Sequence, residues 1–122
     1  MKLRFRGNSL RLRVNQREVE GLSAGRPLTE SVHFPGDAEL GYTLESAPAR
    51  TAKVEFRSGV IRVAVPEASV REWARTDEIG MYFDLPANGS SLKVAIEKDL
   101  ECIDGPAEER DPDAFPRSGK NC

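Results

Sequence analysis

Five cations alternate at the start of the chain, Lys2, Arg4, Arg6, Arg11 and Arg13, in two short runs on either side of Gly7-Asn8-Ser9. A strand face carrying such a row can bind phosphate groups, because the guanidinium fork makes bidentate contact with anionic oxygens. Arg4 would lie opposite Arg11 and Lys2 opposite Arg13 if the two runs pair as a hairpin, and directly opposed like charges are destabilising. Either an anion or acidic residues sit over that face, or the runs belong to different sheet edges. Other chemistry is sparse. His33 is the one histidine, in a polar strand position opposite Glu39, where it reads as a surface pair. Cys102 follows Glu97-Lys98-Asp99 and reads as a half-buried structural thiol, and no spacing signature supports a metal site. No cofactor motif occurs.

Charge is unevenly distributed along these 122 residues. Seven Lys and Arg against two Glu give residues 1–26 a charge of +5, whereas four cations against eight carboxylates give residues 97–122 a charge of -4. The asymmetry points to an anionic partner for one end or to attraction between the ends. Aromatic residues are 7% of the chain and the strands beside the arginines expose none, which argues against nucleic acid as partner. The chain shows no membrane span and no apolar start, and two cysteines, Cys102 and Cys122, read as reduced thiols, so a cytoplasmic setting is expected.

Hairpins must position these groups. Ala52–Arg57 and Ile61–Val65 alternate apolar and charged residues around Ser58-Gly59, placing Phe56 opposite Ile61, Val54 opposite Val63 and Glu55 opposite Arg62. Ile79, Met81, Phe83 and Leu85 are answered across Asn88-Gly89 by Leu92, Val94 and Ile96, with Asp84 opposite Lys93. Leu28 to Phe34 and Leu40 to Leu44 form a further pair, whose Glu30 on the apolar face indicates an edge or rim. Asn15 with Glu18 predicts a capping box and a helix over 16–23, and Val70, Trp73 and Ala74 predict a second helix after Pro66.

The resulting expectation is one α+β domain over 1–104, a mainly antiparallel curled sheet or partial barrel of about eight strands in consecutive hairpins with two short helices. Its core would comprise Leu3, Phe5, Leu10, Leu12, Val54, Phe56, Ile61, Val63, Trp73, Met81, Phe83, Leu92, Val94 and Ile96. Residues 105–122 read as an acidic irregular tail that Phe115 pins to the body. No internal repeat is evident.

Three stretches together, the start MKLRFRGNSLRLR, Trp73 to Asp77, and Ile96 to Asp99 with Cys102, resemble a family of small, uncharacterised bacterial proteins. The resemblance spans nearly the whole chain, carries no activity or site residues, and implies a bacterial cytoplasmic setting. The alternating cationic strands are also similar to those of triphosphate-tunnel enzymes, although the Glu-x-Glu-x-Lys signature of that family is missing. Function is unassigned by sequence. A non-enzymatic module binding an anion through Lys2, Arg4, Arg6, Arg11 and Arg13 leads. Its alternatives are an enzyme on a phosphorylated small molecule, with Glu97 or Asp99 as metal ligand or base, and a purely structural arginine face covered by the acidic tail.

Overall fold

The structure is a computed structural model and describes residues 1–100 and 112–115. Eight strands and two helices follow in the order β1 (Lys2–Arg6), β2 (Ser9–Val14), α1 (Gln16–Ser23), β3 (Leu28–His33), β4 (Glu39–Ala47), β5 (Lys53–Arg57), β6 (Val60–Pro66), α2 (Glu67–Arg75), β7 (Gly80–Ala87) and β8 (Ser90–Lys98). Local chemistry accounts for the boundaries. Ser58-Gly59 and Asn88-Gly89 adopt positive φ at both turn residues, the geometry that matches the twist of a tight hairpin. Asn15 accepts from the Glu18 amide at 2.9 Å while Glu18 accepts from the Asn15 amide at 3.0 Å, closing the capping box of α1. Pro66 ends β6 and caps α2, whose Trp73 is fully buried and donates from Nε1 to the Ile79 carbonyl at 2.9 Å.

The α+β class and the hairpin registers agree with the sequence reading, but the strands divide between two four-stranded sheets, ordered β1-β2-β8-β7 and β3-β4-β6-β5. Each sheet is mixed. Its hairpins are antiparallel, and its central pair, β2 with β8 or β4 with β6, is parallel. Neither forms a closed barrel. Hairpin patterns fix pairing inside each hairpin and leave the partner of the outer strand open, so the central parallel pairs were invisible from periodicity.

An internal repeat that the sequence conceals becomes plain in this topology. The unit β1-β2-α1-β3-β4 recurs as β5-β6-α2-β7-β8, and each unit contributes one hairpin to each sheet. Lys2, Phe5, Arg6, Arg11 and Val14 recur 51 positions later as Lys53, Phe56, Arg57, Arg62 and Val65. In the helices Val19 of α1 recurs as Val70 of α2, Leu22 corresponds to Trp73, and all four are buried.

The inner faces and the two helices, which pack on each other, enclose one core. Burial deepens toward the helix end: Leu10, Leu12 and Val14 are 2%, 1% and 0% exposed, and Ile61, Val63 and Val65 are 8%, 1% and 0%. This gradient corrects two core assignments. Phe5 and Phe56 are 57% and 70% exposed, because both lie on edge strands at the turn end, beyond the reach of the helices. Of the other expected core residues, Leu3, Val54, Phe83 and Leu92 are partly buried against the cluster and the rest are buried. Glu55 and Arg62 share a register position but make different ion pairs, with Lys53 at 2.8 Å and Glu45 at 3.9 Å.

The described part of the tail docks beside α1. The Asp113 carbonyl accepts from the Gln16 amide at 2.8 Å, the Asp113 carboxylate is 3.7 Å from Arg17 Nε, and Phe115 forms a parallel bridge with Leu100. Phe115 also packs on the core, as expected of it. The buried Lys98 ammonium lies 5.3 Å from the Phe115 ring centre and 5.7 Å from that of Trp73, and donates to the Thr76 carbonyl at 2.7 Å. Burial pushes its pKa down. Cys102, Cys122, the expected boundary at 104 and most of the acidic tail lie outside the described residues.

Candidate functional site

Antiparallel partners and parallel neighbours share a face, so the registers of the first sheet place its outer side chains in three rows. Arg6, Ser9, Lys93 and Asp84 form one, Arg4, Arg11, Ala95 and Tyr82 the next, and Lys2, Arg13, Glu97 and Gly80 the third. All five cations expected from sequence therefore come to one face. The β1-β2 hairpin pairs directly, with Arg4 opposite Arg11 and Lys2 opposite Arg13.

Acidic residues compensate only part of that row. Glu97 Oε1 lies 3.1 Å from Arg11 Nε and 3.6 Å from Arg13 Nε, and Asp99 is 2.7 Å from Lys2 Nζ. The Arg11–Glu97 contact is an ion pair rather than a hydrogen bond, since the buried Arg11 Nε makes none. Arg4 and Arg6 make no ion pair or side-chain hydrogen bond among the described residues. They border a cleft of about 390 Å³ whose lining also includes Arg11, Lys93, Tyr82 and Asp84. Ser9 and Ala95, two small side chains on neighbouring central strands, line it among the long ones. The hairpin tip is fixed beside it, because Asn8 donates from Nδ2 to the Ser91 carbonyl at 2.7 Å and accepts from the Lys93 amide at 3.1 Å.

Tyr82 is the residue that sequence reasoning missed. β8, beside the arginine strands, exposes no aromatic, but β7, one strand further, carries Tyr82 on the same face, 63% exposed. Its hydroxyl donates to Glu97 Oε2 at 2.8 Å, and its pKa is raised by partial burial and then by that carboxylate. The ring reaches Glu97 by lying back over Gly80, where a Cβ would come within 2.6 Å of Oη and 2.8 Å of Cζ. One signal was available: the alternation that turns Met81 and Phe83 inward turns Tyr82 outward beside Asp84, toward the cationic face.

The remaining candidates stay apart from this cleft. His33 is exposed on β3 with Glu39 3.9 Å away, a surface pair as the register implies. Glu30, whose place on an apolar face indicated an edge, lies on the edge strand β3 and accepts from the Tyr42 hydroxyl at 2.8 Å. Among the described residues no three His, Cys, Asp or Glu side chains converge as a metal site. The described part of the acidic tail meets Arg17 on α1 rather than the strand arginines. No helix among the described residues is long and apolar enough to cross a membrane.

Fold and site together define an α+β protein of two mixed sheets with one outer face strongly cationic. The chain belongs to a family of unknown function, DUF7009, whose model matches residues 1–119. No curated protein and no solved structure matches the chain.

Proposed function

We propose that this chain is a non-enzymatic, cytoplasmic bacterial binding module that takes an anionic ligand in the cleft of its first sheet, with Arg4 and Arg6 as the principal contacts and Arg11 and Lys93 beside them. The observation that carries this reading is the pair of guanidinium groups, uncompensated among the described residues, at a concave site that holds four cations against one carboxylate, Asp84. Lys2 and Arg13, paired to Asp99 and Glu97, set the potential of the face and support the strands. The enzymatic alternative draws on the same arginines, but Glu97 and Asp99 are both held by cations, which disfavours either as a general base or metal ligand.

The test is calorimetric titration with inorganic pyrophosphate at increasing ionic strength. Binding that weakens with salt and falls roughly 100-fold or more in Arg4→Ala plus Arg6→Ala supports the module, the size expected for the loss of two charge-assisted contacts of ~1.5–3 kcal/mol each. Absence of binding at low salt to any anion tested sinks it.

A further inference from the structure

The duplicated fold provides its own control. Superposing the two units by register sets the outer face of the second sheet beside that of the first, position by position. The second face has rows Arg57, Val60, Gly41, Ser31; then Glu55, Arg62, Thr43, Thr29; then Lys53, Ala64, Glu45. What both faces share is scaffold. Arg11 with Glu97 at 3.1 Å corresponds to Arg62 with Glu45 at 3.9 Å, an ion pair across the central parallel strands in each sheet. What they do not share is the cleft's lining: Arg4 corresponds to Glu55, Lys93 to Gly41, and Tyr82 to Thr29. Both faces are concave, and only one is cationic and aromatic.

Among those differences Tyr82 is not explained by charge. A tyrosine that merely fills space buries its ring, whereas this ring is 63% exposed. It is nevertheless held in place, by Glu97 at its hydroxyl and by the absence of a side chain at Gly80 beneath it. The hydroxyl end rests over the Gly80 backbone while most of the side chain stays open to solvent. That is the arrangement of a stacking platform, and aromatic platforms beside cations are how proteins take nucleobases with their phosphates. Arg4 and Arg11 share its row, and Arg6 and Lys93 lie in the next. The cleft's size is at the small end of ligand sites, which run ~300–1,000 Å³ and suit one small molecule or one unit of a strand.

We propose that the ligand is a nucleoside phosphate, its base stacked on Tyr82 and its phosphate held by Arg4, Arg6 and Lys93. This rests on the anion-binding reading and adds the base to it. Asp84, two residues along β7 from Tyr82 and on the same face, is the acceptor for an amino or hydroxyl hydrogen of the base or sugar.

The experiment compares AMP with inorganic phosphate, which carry similar charge, on the wild-type chain and on Tyr82→Leu and Tyr82→Phe. AMP is expected to bind roughly 10-fold tighter than inorganic phosphate, with Tyr82→Leu abolishing the difference and Tyr82→Phe, which keeps the ring, retaining most of it. Inorganic phosphate should bind all three chains alike. A five-nucleotide single strand separates the two sources of this chemistry: affinity equal to AMP assigns a free nucleotide, and tighter binding that is again lost in Tyr82→Leu assigns a strand. If inorganic phosphate binds and AMP binds no tighter, or if Tyr82→Leu weakens both equally, the base-stacking proposal is overturned while the anion site stands. If neither binds, both readings fall.

Discussion

Gly80→Ala isolates the positioning of Tyr82 from its chemistry. The added methyl would sit 2.6 Å from the Tyr82 hydroxyl oxygen and 2.8 Å from Cζ, where ordinary contacts begin near 3.4 Å. The ring must therefore lift by roughly 1 Å, which carries its 2.8 Å hydrogen bond to Glu97 beyond useful range. A hydrogen bond to a charged acceptor contributes ~1.5–3 kcal/mol, and because this one is open to solvent the loss should lie near or below the lower end, about 1 kcal/mol. The assay is ultraviolet titration of the two tyrosines. Burial and the Glu97 carboxylate hold the Tyr82 pKa above its usual value, and burial with Glu30 raises that of Tyr42 to about 12. In the alanine variant one phenol should titrate closer to the ordinary value while the other stays where it was. An unchanged titration curve with unchanged stability would refute the claim that Gly80 is there to let the ring lie down.

Further expectations concern the scaffold. Tyr42 has a folded pKa above its unfolded one, so its contribution to stability is complete below about pH 10 and is lost as pH rises toward about 12, an amount of about 2–3 kcal/mol. Denaturant unfolding across that range should show a steeper alkaline loss in the wild type than in Tyr42→Phe. Asn15→Ala, which opens the capping box of α1, should cost about 1 kcal/mol in the same measurement. Phe115→Ala removes the half-buried ring above Lys98 and should lower stability by about 2 kcal/mol and speed proteolytic cleavage near residues 112–115.

The sequence revealed each hairpin, because alternation at period two and the Ser58-Gly59 and Asn88-Gly89 turns specify register locally. It revealed α1 from the Asn15 and Glu18 capping box with the apolar face of Val19 and Leu22, and the deep burial of Trp73 from its helical spacing with Val70. The association of hairpins into two sheets was hidden, since β2 beside β8 and β4 beside β6 depend on contacts between distant segments that no local pattern encodes. The repeat was hidden for a related reason: at a spacing of 51 the first two strands and helix of its halves agree only at Lys2, Phe5, Arg6, Arg11, Val14 and Val19. Phe5 and Phe56 were misplaced because alternation assigns a face and not a depth. The cationic row was legible as a row, but its division, among the described residues, into compensated Lys2, Arg11 and Arg13 and uncompensated Arg4 and Arg6 required the positions of Glu97 and Asp99. Tyr82 joined the site only once β7 was known to lie in the same sheet.

The central claim, that ligand chemistry is confined to one outer face of a duplicated fold, is tested most directly by amide chemical shifts recorded during titration with inorganic pyrophosphate. The account predicts saturable shifts at Arg4, Arg6, Ser9, Arg11, Tyr82 and Lys93, with Thr29, Gly41, Glu55 and Arg62 of the second sheet unmoved. Shifts of equal size on both faces, or centred on the second, would contradict it.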